Sequence, residues 1–203
     1  MYRYKLVLAS TSPRRIGLLK QLGIDFEVLD PGDVENSFSL DPETHVREHA
    51  LSKAEAVASR HPDRLIVAAD TIVVLDRKIV EKPHNVEEAG EMLRSLSGRT
   101  HRVVSAIALV RKKLSYLDVR TEETVVSMKR LSSGEIDAYV ATGEPMDKAG
   151  AYAAQGLGAM IIERVDGCFY NVVGLPMSLL FDMLKEAGVN ILTNSSIPRH
   201  PSM

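Results

Sequence analysis

Two adjacent arginines follow a run of hydroxyl residues in the stretch "LASTSPRR", residues 8–15. The order of residue types predicts a strand, a turn, and a helix with Ser12 as its N-cap and Pro13 as its first residue. Such a helix start directs unpaired backbone N–H groups, hydroxyls and the guanidinium groups of Arg14 and Arg15 to one place, as an oxyanion requires. The stretch therefore predicts a phosphate site. A well-capped surface helix with solvated arginines is the alternative.

A single acid separates two apolar runs in "LIVAADTIVVL". The runs at 65–69 and 71–75 are rich in β-branched residues and predict strands. Burial of an unpaired carboxylate is costly, so we expect Asp70 at a strand end or bulge, facing a cleft, a cation or a metal. An aspartate that caps a turn through its own backbone is the alternative.

A loop rich in glycine and alanine, "EPMDKAGAYAAQG" at residues 144–156, carries Asp147, Lys148 and Gln155. Its small residues allow the backbone to approach a ligand closely. The amide of Gln155 offers a donor and an acceptor, as does the imide of a uracil or thymine ring, so the two groups match. Alternatively, Gln155 is an exposed loop amide, and Lys148 and Asp147 form a surface ion pair that contributes little.

Two further lysines are candidates for the same chemistry. Lys82 lies in the turn "EKP" at residues 81–83, and Lys53 lies beside the apolar face of a long helix that begins after Asp41. A lysine on a soluble protein is usually solvated, which is the alternative for both.

The elements that must position these residues alternate without a strict βαβ order. Apolar periodicity and capping residues predict strands at 5–9, 26–29, 65–69, 71–75, 101–110, 116–128 and 159–165, and helices at 13–22, from 42, at 85–96, from 132 to 143 and at 176–187. The two long strands in the middle predict an antiparallel hairpin, which argues against a simple doubly wound parallel sheet. We therefore predict a mixed-sheet α/β protein.

Length and composition are those of an ordinary soluble globular protein. The chain has 203 residues, 45% of them hydrophobic, and a formal net charge of −2. We expect one domain over residues 1–192 and a disordered tail over residues 193–203. The charge balance argues against a nucleic-acid-binding surface, and no segment approaches membrane-spanning length. We expect a cytoplasmic protein.

Metal-binding signals from cysteine are absent. Cys168 is the only cysteine, which excludes an intrachain disulfide and a cysteine-rich zinc site. We expect no metal site of the HxxxH type from the six histidines either.

Six motifs together resemble those of one family in order and spacing: "LASTSPRR", "AADT", "EKP", "LSGRTH", "EPMDKAGAYAAQG" and "NVVGLP". They are similar to the motifs of the Maf family of nucleoside triphosphate pyrophosphatases, from residue 5 to about residue 190. The resemblance implies an elongated, two-lobed mixed-sheet α/β fold with a central cleft, similar to that of inosine triphosphate pyrophosphatases. It further implies a cytoplasmic enzyme, a homodimer, that hydrolyses a nucleoside triphosphate to the monophosphate and pyrophosphate with a divalent cation, Mg²⁺ or Mn²⁺.

The resemblance also assigns residues to a site. Asp70 matches the family's catalytic acid, and Lys53 and Lys82 are counted with it as catalytic. The other matching positions are implied to bind substrate: Ser10, Arg14, Arg15, Thr71, Glu81, Lys148 and Gln155. Among these, Arg14, Thr71 and Gln155 match positions tied to substrate choice.

The amino-acid sequence of this loop resembles that of one subfamily. "DKAGAY" followed by Gln155 resembles the subfamily that acts on dTTP and UTP, including modified pyrimidine forms. The 7-methyl-GTP subfamily has a different, cysteine-containing sequence there. The resemblance therefore implies a pyrimidine nucleotide as substrate.

One segment departs from the family pattern. The family has a paired acid after the second strand, where this chain has "GDVEN". We choose Glu35, together with Asp70, as the metal ligand, although Asp33 competes and Asn36 could occupy the expected position.

Hydrolysis at the α-phosphorus requires charge neutralisation, an in-line water and a base. Arginine and lysine side chains would hold the phosphates, and Asp70 would act as base with Glu35 as its metal-binding helper, since a metal-bound carboxylate is a poor base. Two alternatives stay open: a nucleotide-binding regulator of septum formation without turnover, and a purine or broad-specificity pyrophosphatase.

Overall fold

The computed structural model describes residues 6–34 and 39–192. The predicted metal ligand Glu35, its competitor Asn36 and the predicted tail at 193–203 lie outside these residues. Seven strands and six α-helices follow one another as β1 (Leu6–Ala9), α1 (Pro13–Gln21), β2 (Phe26–Leu29), α2 (Pro42–Arg60), β3 (Leu65–Leu75), β4 (Lys78–Val80), α3 (Val86–Leu96), β5 (Thr100–Arg111), β6 (Tyr116–Met128), α4 (Ser133–Ala141), β7 (Ile162–Asp166), α5 (Phe169–Val173) and α6 (Met177–Glu186) in the described part of the chain.

The strands form one mixed seven-stranded sheet with the order β2-β1-β3-β5-β6-β7, and β4 pairs with β3 off this path. β1 runs parallel to both β2 and β3, whereas β3, β5, β6 and β7 pair antiparallel in sequence. The predicted hairpin of two long strands is β5 and β6, which pair along their whole length. The mixed sheet predicted from the sequence is confirmed.

Alternating residues of β3 face opposite layers, as the period of two in a strand requires. Ile66, Ala68 and Ile72 pack against α2, and Leu65 and Val67 pack against α1 and α6 on the other face. By this alternation Asp70 belongs to the α2 face and Thr71 to the opposite face. The strand thus presents an acid and a hydroxyl in different directions.

A third apolar cluster forms beyond the far end of β3. It joins Val73 and Leu75 to the buried faces of α3 and α4, through Leu93 and Ile136 among others. Residues 144–160, which contain three short 3₁₀ segments, connect this cluster to the rest of the sheet. The loop that was predicted to contact a ligand therefore spans the two parts of the fold.

The local helix signals agree with the structure in most places. Ser132 and Glu135 form the capping box at the start of α4, and the Asn85 side chain accepts a hydrogen bond from the N–H of Glu88 at the start of α3. Ser12 is the N-cap of α1 with Pro13 next, but its side chain makes no capping hydrogen bond. The hydroxyl-rich turn is therefore not used for the ordinary cap.

One expectation about the strands is wrong. Asp70 does not interrupt two strands or sit at a bulge, because β3 is continuous over 11 residues and Asp70 pairs with Ala106 of β5 in its middle. An ion pair within the structure offsets the cost of burying the acid there, as described below. The short helix α5 was not predicted.

No described helix has an apolar stretch of membrane-spanning length, and this includes α2, which covers 19 residues.

Candidate active site

A cleft with a cavity volume of about 110 Å³ opens between the start of α1, the middle of β3 and the loop at 144–156. Its lining includes eight of the ten residues assigned to catalysis or substrate binding by the sequence analysis: Arg14, Arg15, Lys53, Asp70, Thr71, Lys82, Lys148 and Gln155. These positions span the chain from α1 to the loop after α4.

A second pocket adjoins the cleft at the start of α1. It is lined by Ser10 and shares Arg14, Lys53 and Lys82 with the main cleft. The Ser10 hydroxyl accepts a hydrogen bond from the N–H of Ser12, 3.2 Å away, which fixes the turn before the helix. Ser10 therefore lies beside the cleft and shapes the turn at its edge.

Two of the predicted site residues are not found in the cleft lining. The Glu81 side chain is exposed and absent from the lining, although its backbone carbonyl accepts a hydrogen bond from the N–H of Gly150 at 3.0 Å. Glu35 lies outside the described residues, and its competitor Asp33 is exposed. Through the hydrogen bond from Gly150 the backbone of Glu81 holds the loop at 144–156.

The two arginines at the start of α1 are anchored differently. Arg15 donates from Nε to the Gly174 carbonyl at 2.8 Å and from an η-nitrogen to Thr71 Oγ1 at 3.2 Å. Arg14 Nη1 lies at ion-pair distance from Asp147 Oδ2, 3.5 Å, but is buried without a hydrogen-bond partner among the described residues. An unsatisfied buried guanidinium nitrogen is costly, so it indicates a position where a ligand acceptor belongs.

Asp70 forms a buried ion pair with Lys53. Lys53 Nζ lies 2.7 Å from Asp70 Oδ1, and both residues are 8% exposed. Burial alone would raise the pKa of Asp70. The hydrogen bond from His49 and the charges of Lys53 and Arg15 outweigh burial and hold that pKa well below its ordinary value. Asp70 is therefore an ionised carboxylate surrounded by cations.

Lys53 reaches Asp70 because of its position on α2. His45, His49 and Lys53 are spaced four residues apart, so they form one row along the helix beside the apolar row that contains Ala50 and Ala54. His49 Nδ1 lies 3.6 Å from Asp70 Oδ2. The row brings two imidazoles and an ammonium to the same carboxylate.

The histidines of this row were expected to form no metal site, yet His45, His49 and Asp70 are placed with one ligand atom each within 4.8 Å of the others. The signal for the pair is in the sequence: "HVREH" spaces two histidines four positions apart, which puts both on one helix face. The partner Asp70 comes from β3 and is not predicted by this local pattern.

Thr71 lies at the centre of a small hydroxyl network on the other face of β3. Its Oγ1 lies 2.8 Å from Ser105 Oγ of β5 and 3.3 Å from the Gly174 carbonyl, to which it can donate. Arg15 donates to the same oxygen of Thr71. Gly174 ends α5 at φ +117°, and this conformation, accessible to glycine, directs the carbonyl to Arg15.

Asn171 in "NVVGLP" positions this end of the cleft. Its buried amide nitrogen donates to the Val103 carbonyl and to Thr124 Oγ1, both at 3.0 Å. These bonds attach α5 to the β5–β6 hairpin, so residues 172–174 line the cleft in a fixed position. Asn171 was not among the residues predicted from the sequence, although its motif was.

The loop at 144–156 is held by Glu144. Its carboxylate accepts hydrogen bonds from the Tyr139 hydroxyl at 2.8 Å and from the N–H groups of Leu157 and Gly158. The loop also has Gly150 at φ +71°, where an added Cβ would lie 3.0 Å from Val73. The loop is therefore fixed at both ends while its middle lines the cleft.

Lys148 and Asp147 form the ion pair that was the alternative prediction, but this pair lies at the cleft. Lys148 Nζ donates to Asp147 Oδ1 and to the Glu144 carbonyl at 2.6 Å. The Lys148 side chain is 15% exposed, whereas that of Asp147 is 65% exposed. Asp147 therefore contacts both Lys148 and Arg14, two residues of the cleft lining.

The cleft lining that includes Gln155 also has an apolar part. Val73, Val103 and Tyr152 belong to it, and the Tyr152 hydroxyl lies 2.7 Å from His101 Nε2. Burial lowers the pKa of His101 to about 4, so this imidazole is neutral at physiological pH. An apolar wall beside one amide suits a flat heterocycle that has a polar edge.

Comparison with known proteins gives consistent results. A family model described as Maf-like protein matches residues 5–187. A dTTP/UTP pyrophosphatase from Dictyoglomus thermophilum is 42% identical over 190 residues, which cover 93% of this chain and 98% of the relative. A dTTP/UTP pyrophosphatase from Pelotomaculum thermopropionicum is 47% identical over 189 residues, which cover 93% and 99%.

Among solved structures, the Ham1 protein of Staphylococcus aureus has a similar fold. The TM-score is 0.50 at 18% sequence identity, with 90% of this chain and 99% of that chain covered. At this identity the similarity concerns the fold alone. It agrees with the mixed-sheet architecture predicted from the sequence.

Proposed function

Because this chain belongs to the Maf family, we propose that it hydrolyses dTTP and UTP to the nucleoside monophosphate and pyrophosphate, which removes unwanted nucleotides from the pool. The names of the two relatives given above support this substrate class. The observation that carries the proposal is the cleft itself, which combines an ionised Asp70 with several cations and a pyrimidine-matching amide.

The triphosphate would bind at the cationic end of the cleft. Arg14, whose Nη1 has no hydrogen-bond partner among the described residues, lines this region together with the exposed Lys82 and the Lys148 ammonium. A phosphate oxygen would accept a hydrogen bond from Arg14 Nη1, and planar guanidinium groups commonly bind phosphate in a bidentate manner. The formal charge of the chain is close to neutral, so recognition of the polyanion depends on these local cations.

Asp70 would act as the base that accepts a proton from the attacking water. In the substrate-free structure its pKa is low, since His49, Lys53 and Arg15 stabilise the carboxylate. A bound triphosphate offers Lys53 and Arg15 another anion, so substrate binding should raise the pKa of Asp70 toward a useful range. The bound substrate would thus help to activate Asp70 as a base.

We further propose that a divalent ion, Mg²⁺ or Mn²⁺, binds at this end of the cleft. Mg²⁺ in nucleotide sites is commonly held by one or two carboxylates together with phosphate oxygens. Asp70 lies at this end of the cleft, but a metal-bound carboxylate is a poor base, so Glu35, outside the described residues, is the proposed ligand and Asp70 stays the base. When bound, such an ion would neutralise charge on the phosphates.

The pyrimidine ring of the nucleotide would lie against the apolar part of the cleft lining, with its polar edge at Gln155. Val103 and Tyr152 belong to this apolar part, and the Gln155 side chain lines the same cleft. An amide can donate to one imide oxygen and accept from the imide N–H of uracil or thymine. Cytosine and purine bases present different edges, so we expect weaker hydrolysis of CTP, dATP and GTP.

A cytoplasmic location, a homodimer and a single catalytic domain over residues 1–192 remain predictions that accompany this function.

The test is a substrate panel in water enriched with ¹⁸O. Wild-type protein is incubated with dTTP, UTP, CTP, dATP, GTP and 7-methyl-GTP in Mg²⁺, Mn²⁺ or EDTA. We expect metal-dependent pyrophosphate release from dTTP and UTP, with ¹⁸O in the monophosphate. Nucleotide binding without turnover would favour the regulator, and equal release from purines would favour a broad-specificity enzyme.

A further inference from the structure

The three residues His45, His49 and Asp70 form a compact donor set outside the substrate-binding assignments. One ligand atom of each lies within 4.8 Å of the others, and all three residues are at least nine-tenths buried. Among residues 6–34 and 39–192 no other group of three histidine, cysteine or acidic residues is placed in this way. Two imidazoles and one carboxylate suit a transition metal better than Mg²⁺, which prefers oxygen ligands.

The helix provides the first two ligands without distortion. His45 and His49 are one helical turn apart on α2, and their ring centroids are 4.1 Å apart. Two histidines at this spacing on a helix are a recurrent zinc-binding arrangement. The third ligand, Asp70, comes from the neighbouring strand β3, so the site would join two rigid elements.

The orientation of His45 is the one that metal-binding histidines adopt. Its Nδ1 lies 3.3 Å from the Ser39 carbonyl, an acceptor, so Nδ1 carries the proton and donates. Nε2 of the neutral ring is then left with its lone pair available. Histidine ligands generally donate their other ring N–H to a carbonyl or carboxylate in this way.

The two oxygens of Asp70 face different partners. Oδ1 is 2.7 Å from Lys53 Nζ, and Oδ2 is 3.6 Å from His49 Nδ1. Ligands of a tetrahedral zinc ion at 2.0–2.1 Å are about 3.3 Å apart. The His49–Asp70 pair is therefore a few tenths of an ångström from that separation, and the most distant pair must close by up to about 1.5 Å through side-chain rotation.

We propose that His45, His49 and Asp70 bind one transition-metal ion of the Zn²⁺ type at the inner side of the cleft. The fourth position of a tetrahedral ion would be taken by water. A metal bound through Oδ2 lowers the basicity of Asp70, so occupancy inhibits hydrolysis; this consequence, unlike the binding itself, rests on the proposed function. The site thus makes the enzyme sensitive to Zn²⁺ in the presence of Mg²⁺.

The test measures binding without nucleotide. The tag-free full-length protein is titrated with Zn²⁺ by calorimetry, and with Co²⁺ while visible absorption is recorded. We expect one ion per chain and the intense bands of tetrahedral Co²⁺. The variants His45→Gln and His49→Gln should bind at least about 10-fold more weakly, the minimum expected since even outer-shell partners contribute that much.

The matched control is His84→Gln, because His84 is exposed and lies outside the cluster. It should bind Zn²⁺ as wild type does, and circular dichroism should show that all three variants are folded. Absence of stoichiometric binding by wild type, unchanged binding in both cluster variants, or an equal loss in His84→Gln overturns the proposal.

Inhibition is measured separately from binding. The Zn²⁺ concentration that halves Mg²⁺-dependent dTTP hydrolysis should rise in His45→Gln by the same factor as the dissociation constant. Zn²⁺ binding without any hydrolysis of a nucleotide contradicts the proposed function and leaves the metal site standing. Hydrolysis without Zn²⁺ binding contradicts the metal site alone.

Discussion

The ammonium of Lys53 lies 2.7 Å from Oδ1 of Asp70, and this ion pair joins helix α2 to the middle of β3. Both side chains are about nine-tenths buried. The pair allows a carboxylate to lie inside a continuous strand and places it in the cleft as an anion. The same contact therefore serves the fold and the proposed chemistry.

Removal of the Lys53 charge should destabilise the protein. Lys53→Met leaves Asp70 buried without its closest cation, and loss of one partner of a buried pair costs about 3 kcal/mol. Urea unfolding should show this loss, whereas Lys112→Met, which removes an exposed lysine bonded to Ser59, should change stability by less than about 0.5 kcal/mol. Equal stability of the two variants would contradict the structural role of the pair.

Acid should weaken the fold through Asp70. Its pKa is lowered in the folded state from an ordinary value of 3.8, so its contribution is present above that value and is lost as the pH falls below it. Between pH 5 and pH 3 the wild type should lose about 1 kcal/mol more unfolding free energy than Asp70→Asn does. Urea titrations of both proteins across this range measure the difference, and parallel curves would contradict it.

Much of the fold follows from local sequence, but Asp70 shows where local reasoning ends. Alternation and capping predicted the hairpin β5–β6, the helix starts at Pro13 and Pro42, and the capping box of α4. Asp70 was misplaced because Lys53, the residue that stabilises it, lies 17 positions earlier on another element. A strand that tolerates a buried acid is recognisable only when its tertiary partner is known.

The site was predicted only in part, because some of its contacts join residues that are distant in the sequence. Motif resemblance assigned the residues that the cleft brings together, such as Arg14, Lys82 and Gln155. It did not identify Asn171, whose anchoring bonds to the hairpin depend on tertiary contacts. The histidine pair had a readable helical spacing, but its carboxylate partner came from β3.

Gln155→Ala should weaken the recognition of pyrimidine bases. Loss of hydrogen bonds to the imide edge corresponds to about 1–3 kcal/mol, or roughly 10- to 100-fold in kcat/KM for dTTP. The matched control is Gln21→Ala, because Gln21 is exposed at the end of α1. If steady-state kinetics give the same kcat/KM for Gln155→Ala and wild type, Gln155 does not read the base.

Gly150→Ala should strain the cleft loop. Gly150 has φ +71°, and a Cβ there would lie 3.0 Å from Val73, so both backbone and packing oppose the change. We expect a loss of about 1–3 kcal/mol and lower kcat/KM. Gly134→Ala in α4 meets no atom within 4 Å and should be neutral or stabilising. Equal melting temperatures for the two variants would show that the loop conformation is not constrained as described.

The most direct test of the account is pyrophosphate release from dTTP by wild type and Asp70→Asn, measured beside dTTP binding. We expect the variant to bind dTTP and to lose about 10²- to 10⁴-fold in turnover, the usual contribution of a positioned base. Turnover by Asp70→Asn within a few-fold of wild type, with the variant folded and binding dTTP, would contradict the proposal that Asp70 carries the chemistry.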